Sequence, residues 1–353
     1  MNGRDNLLRA LRREGPDYVP HAITLCDAQL DRMQRESGTR NPDDFFKLDY
    51  RYLELNPTRL THQYDAYFED HSALSHIDEW GVGWRKPIVE HLSGIVSPMR
   101  HFTSVEEIEA FPLPDLMADY RWEGFAQRVE ECKKAGCLAV YFAVQIFEPA
   151  WYLRGMEPLL MDMLEDDPKA AACLERITAV LESFCRKLAE CGIDLIVYGD
   201  DVGTQKGLLM DRELWRERLK PGMRRVIQAA KGAKPDLLAF YHSDGAIEPL
   251  IEDLIEIGVD VLNPVQPECM DPKHIMKAYG DRLSFWGTIG TQTTLPFGTP
   301  AEVRAAVEEM ILAAGKRGGL VVAPTHVVEP DVPWENILAF RDAALRQKKN
   351  GKG

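Results

Sequence analysis

The chain has 353 residues, with 42 Lys plus Arg against 56 Asp plus Glu, a formal net charge of −14. Apolar residues at 45% and charged residues at 28% are ordinary for a folded chain with a sizeable core, which excludes wholesale disorder. The acidic balance argues against a nucleic-acid partner, because binding a phosphate backbone needs clustered Lys and Arg.

The opening MNGRDNLLRALRREG is charged, unlike the apolar core of a signal peptide, and no run of 18 apolar residues follows anywhere. A cytoplasmic protein with no membrane segment is therefore expected. Seven Cys (26, 132, 137, 173, 185, 191 and 269) form no paired framework and read as reduced thiols. Cys269 stands apart in a Pro-rich turn, NPVQPECMDP, after an apolar strand candidate.

Taken in order, YVPHAIT (18–24) is a strand candidate, and 25–137 is less readable, with a hairpin-like stretch at 78–100. From 138 onward, apolar runs alternate with amphipathic ones. The strands LAVYFAV (138–144), IDLIVYG (193–199), DLLAFYH (236–242), VDVLNPV (259–265), LSFWGTI (283–289) and GLVVAPT (319–325) are continuous apolar runs, as a parallel sheet covered on both faces requires. Helical patterns fall at about 157–190, broken at Pro168, and at 211–231 with Asp211 as N-cap. Others fall near 246–257, 271–279, 300–316 and 334–347. These are six β–α units with a seventh strand at 18–24; the eighth must come from 25–137. The expectation is one (β/α)8 TIM barrel over residues 1–353, with 25–137 an elaboration on it rather than a second domain. No GxGxxG or GxxxxGK[ST] occurs, so nucleotide cofactors lose their main sequence support.

In such a barrel the active site is built from residues past the carboxyl ends of the strands. Those ends supply Gln145 and Glu148, Asp200 and Asp201, His242 and Asp244, Cys269, Thr291 and Gln292, and His326. Two imidazoles and a thiolate from His242, Cys269 and His326 suit zinc, which takes nitrogen and sulfur donors and, with three protein ligands, keeps a position open for chemistry. Asp244 is a fourth ligand or an acceptor for an imidazole N–H. The plainer alternative makes each of these a hydrogen-bonded loop residue. The pair Asp200–Asp201 reads either as an acid/base pair, with Glu148 nearby, or as one turn cap and one solvated carboxylate. Aromatic residues near the same rim, Trp151, Tyr198, Tyr241 and Trp286, with the polar Gln292, either line a substrate pocket or fill the core.

The segments RDNLLRALRREGPDYVPH, EPAWYLRG, YGDDVGTQKGLLMDRELWRERLKPGMRRVIQAAK, YHSDGAIEPLIEDLIEIGVDVLNPVQPE, GTQTTLPFGTPAEVRAAV and APTHVVEPDVPWENI resemble the uroporphyrinogen decarboxylase superfamily over nearly the whole chain. The resemblance implies the same barrel and two chemistries. True decarboxylases hold a porphyrinogen with an Arg-rich N-terminal motif and need no metal; here HAITLCDAQLDRMQ (21–34) occupies that place, so porphyrinogen decarboxylation is disfavoured. The other branch holds zinc-dependent methyltransferases that work with corrinoid proteins. Its thiol-methylating members carry His-x-Cys and a later Cys; His242 matches the first ligand and His326 the last, but Asp244 stands where Cys would be. The resemblance therefore implies a zinc enzyme that moves a methyl group from a methoxylated small molecule, expected to be an aromatic methyl ether, to the cob(I)alamin of a separate corrinoid protein. Methyl transfer from a corrinoid to a thiol, decarboxylation, and a non-enzymatic corrinoid or tetrapyrrole carrier are the alternatives, and a homodimer is compatible with all of them.

Overall fold

Seven parallel strands form one curled sheet in which each strand pairs with the next in sequence. In this computed structural model, which describes residues 1–86 and 94–350, they are β1 (Tyr50–Tyr52), β2 (Leu138–Gln145), β3 (Leu195–Gly199), β4 (Leu238–His242), β5 (Val261–Asn263), β6 (Ser284–Trp286) and β7 (Leu320–Val321). The segment expected as the seventh strand runs beside the end of β7 through parallel bridges, His21 to Val322 and Leu25 to Val328. The missing stave expected within 25–137 is β1, only three residues long. The architecture is the (β/α)8 barrel.

The expected helices are present, with breaks where Pro and capping chemistry place them. The 157–190 pattern divides into Met156–Leu164 and Pro168–Glu190, with Asp167 accepting from the Lys169 N–H as N-cap and Pro168 at the first turn. The 211–231 pattern divides at Leu219, since Pro221 opens a new helix, Lys220–Ala233, after Arg212–Arg218. Asp211 caps the first of these as expected. Part of the hairpin-like 78–100 stretch is a small antiparallel sheet in which Gly83–Arg85 pairs with Leu74–Ile77 and with Ile95–Val96. Residues 87–93 of that expectation lie outside the described residues.

The central strands are buried on both faces, all five residues of β3 and all three of β6 among them, while successive side chains alternate between the faces. In β4, Tyr241 is wholly buried with a hydroxyl contact to the Asp200 carbonyl, while its neighbours Phe240 and His242 line a cavity. The same alternation decides which strand-end residues reach the chemistry. Below, Arg4 forks onto Asp194 at 2.9 and 2.7 Å, and Asp194 also accepts from the Ala139 N–H. This pair fastens the first helix, Gly3–Arg12, across the amino-terminal end of the sheet.

Candidate active site

At the carboxyl end of the barrel, Asp201, His242 and Asp244 offer ligand atoms that all lie within 4.8 Å of one another. His242 ends β4, and Asp244 follows two residues later on the loop. Asp201 follows β3, and its Oδ1 accepts the Asp244 backbone N–H at 2.8 Å while lying 3.7 Å from His242 Nε2. His326, from the loop after β7, brings its Nε2 to 3.9 Å from Asp244 Oδ2. Two imidazoles and two carboxylates thus converge from three strand ends.

The ring orientation of His242 is set by a side-chain amide. Asn263 donates through Nδ2 to the Trp286 carbonyl at 2.6 Å, which turns its Oδ1 toward His242 Nδ1, also at 2.6 Å. An amide oxygen only accepts, so Nδ1 carries the proton and the Nε2 lone pair faces the carboxylates. Asp244 Oδ1 is buried and has no hydrogen-bond partner; Glu148 Oε2 and Glu268 Oε2 are in the same condition. Buried acceptors left unpaired are rare and costly. Burial raises the Asp244 carboxyl above its ordinary value, against the pull of His242 and His326. A divalent cation would satisfy the orphaned oxygen and take up the free imidazole lone pair. The nitrogen and oxygen donor set fits zinc.

Glu148 lies in the first turn of the helix Phe147–Arg154. Burial first, and then the nearby Asp201 charge, raise its carboxyl to about 7. Tyr152 donates to its Oε1 at 3.1 Å. Asp200 fixes this turn: its Oδ1 accepts the backbone N–H groups of Ile146 and Glu148, both at 3.0 Å. The two alternatives for Asp200–Asp201 thus divide between the residues. Asp200 is 1% exposed and serves as a cap, and Asp201 faces the imidazole.

Beside the cluster a cavity of about 450 Å³ opens, lined by His242, His326 and Asn263 together with a wall of aromatic rings. Phe240, Trp286, Tyr50, Tyr52 and Phe142 follow one another edge to face, with centroids 5.3 to 5.8 Å apart. Of the rim aromatics named from sequence, Trp286 is in this lining. Tyr50, Tyr52, Phe142 and Phe240 escaped sequence reading; the signal was strand parity, since Phe240 and His242 share a face of β4.

That same parity corrects other expectations. Tyr198 and Tyr241 are fully buried and lie outside the cavity lining, each on the face of its strand opposite the cavity. Trp151 packs edge to face on Tyr152, and Gln292 is exposed with its N–H bonded to Glu268; neither lines the cavity. Cys269 is not grouped with the imidazoles: its S–H donates to Gln205 Oε1 at 3.0 Å. Burial, with Glu268 and Asp244 nearby, raises its thiol, and Asp201 takes the place in the cluster that the sequence reading gave to this Cys.

The uroporphyrinogen decarboxylase (URO-D) family profile matches residues 2–347. The chain belongs to that family. Among solved structures it is similar to a methyltransferase from Methanosarcina mazei, at 17% identity and a TM-score of 0.71, over 98% of this chain and 99% of that one. At this identity the likeness is one of fold. It is also similar to a B12-independent methionine synthase from Shewanella sp. W3-18-1, at 10% identity and a TM-score of 0.42, over 65% of this chain and 66% of the other. That match is too loose to support any argument. No curated protein matches the chain. Among the described residues no helix is long and apolar enough to cross a membrane.

Proposed function

We propose that the protein is a zinc-dependent methyltransferase that demethylates a methoxylated aromatic compound and passes the methyl group to the cob(I)alamin of a separate corrinoid protein. The observation that carries this reading is the sharing of His242 and His326 between the acidic–imidazole cluster and the aromatic-walled cavity. An arene held against that wall would present its ether oxygen to the cluster.

We assign His242, Asp244, Asp201 and His326 as the metal-holding residues. Bound there, zinc would polarise the ether oxygen as a Lewis acid. The chain's own residues do the remaining work. Asn263 keeps the Nε2 lone pair of His242 turned inward. The two carboxylates balance the charge of a dication, and the ring wall orients the substrate and excludes water. Glu148, whose carboxyl burial raises to about 7 so that it exchanges its proton near neutral pH, is the proposed proton source for the departing oxygen. In the balanced reaction the C–O bond breaks with its electron pair on oxygen, and that oxygen gains a proton. The methyl carbon bonds to the partner's cobalt through the reduced metal's electron pair.

The family's eponymous reaction is the competing reading. Its substrate carries many carboxylates, and the described residues lining this cavity include no Lys or Arg. Anaerobic incubation with a methoxyarene and reduced corrinoid protein tests the proposal: the phenol and methylcobalamin should appear in equal amounts, and only in the metal-loaded protein. Decarboxylation of uroporphyrinogen by the metal-free protein would replace it.

A further inference from the structure

We propose that the methyl donor is an uncharged methoxyarene, and that the cavity rejects aryl ethers bearing a carboxylate. This rests on the function proposed above and narrows its substrate class. The five rings Phe240, Trp286, Tyr50, Tyr52 and Phe142 form an unbroken edge-to-face chain along one wall. Tyr52 and Phe142 are exposed, at 44% and 55%, so they mark the mouth. Glu54, also exposed, lines that mouth with them.

The charges are all of one sign or absent. Apart from the two imidazoles, Glu54 is the charged side chain among the described lining residues. Arg51 lies between Tyr50 and Tyr52 in sequence, but strand alternation turns it away, and its guanidinium pairs with Asp43 at 2.9 Å. Beside the lining imidazoles, Asp201 and Asp244 would neutralise a bound dication, leaving no net attraction for an anion. A substrate carboxylate entering here would lose its hydration without gaining a cationic partner, and would pass Glu54 on the way. A neutral ring would lose little and gain the ring contacts.

The test compares guaiacol (2-methoxyphenol) with vanillate, which differs by one carboxylate para to the phenol, by calorimetric titration of the zinc-loaded protein near pH 6.5. Guaiacol should bind at least about tenfold more tightly. In Glu54→Lys, a substitution at an exposed position, the ratio should narrow several-fold by gain of vanillate binding. Equal binding of the two by the native protein, binding of neither, or an unchanged ratio in Glu54→Lys would overturn the inference. Binding is read without corrinoid protein, so a guaiacol preference without methyl transfer would count against the proposed reaction alone.

Discussion

Asn263 Oδ1 lies 2.6 Å from His242 Nδ1, and the same amide is anchored through Nδ2 to the carbonyl of Trp286. One side chain thereby joins the ends of three successive strands and fixes which imidazole nitrogen is free. Asn263→Leu should lower zinc affinity by about 10- to 100-fold, the usual cost of losing a hydrogen bond behind a ligating imidazole. Asn263→Asp, which still accepts from Nδ1, should retain most of it. Competition with a chromophoric chelator measures both. Unchanged affinity in Asn263→Leu would show that the tautomer is fixed elsewhere.

The proposed ligand set separates His242 from Cys269, which the sequence alone treats alike. His242→Ala and Asp244→Ala should each lose the metal, because each removes a donor from the cluster. Cys269→Ser should keep about one zinc per chain, since the thiol is hydrogen-bonded to Gln205. Metal content after exhaustive dialysis decides it. Loss of zinc in Cys269→Ser would restore the thiol to the ligand set.

Glu148 predicts a pH-dependent stability. Its carboxyl is raised by burial from 4.5 to about 7, so between those pH values the native state holds a proton that the unfolded chain has lost. Stability from this group therefore falls as pH rises through that window. Glu148→Gln removes the ionisation cost. The metal-free variant should be more stable than the native protein at pH 8 by on the order of 1–3 kcal/mol and about equal at pH 4.5. Thermal unfolding at both values checks this. In the methyl-transfer assay the same variant should be slowed by about 100-fold or more.

Asp253 predicts the opposite trend in acid. Burial alone would raise its carboxyl, but Lys220, Arg216 and Arg212 donate to it and hold it at about 2. The depressed value means that this group's stabilisation is complete above about pH 4 and is lost as pH falls toward 2. Asp253→Ala would leave three cations facing one another between the helices Ile251–Ile257, Arg212–Arg218 and Lys220–Ala233. A loss of about 3–5 kcal/mol in urea denaturation is expected. A loss below 1 kcal/mol would show that solvent already screens the cluster.

The barrel was legible because its strands from 138 onward are continuous apolar runs and a helix such as Arg212–Arg218 begins at a recognisable cap, Asp211. Strand β1 was not, because three residues, Tyr-Arg-Tyr, carry no period long enough to read. In the site, His242, Asp244 and His326 could be placed from strand ends alone. The substitution of Asp201 for Cys269 depends on a hydrogen bond from the Asp244 N–H to Asp201, a contact between loops 43 residues apart in sequence that leaves no local mark. Tyr198 and Tyr241 are aromatic and near the rim, which in sequence fits a pocket wall as well as core filling. Their position on the far face of β3 and β4 is a matter of one-residue parity, which the strand termini fix only in three dimensions.

We propose that this acidic–imidazole cluster and its aromatic cavity demethylate an aryl ether. The most direct test is an anaerobic single-turnover reaction of the zinc-loaded protein with methyl-labelled guaiacol and a cob(I)alamin-bearing corrinoid protein. The label should pass to cobalt with one catechol formed per methyl moved, and His242→Ala should abolish the transfer. Catechol formation without labelled methylcobalamin, or transfer that survives in His242→Ala, would contradict it.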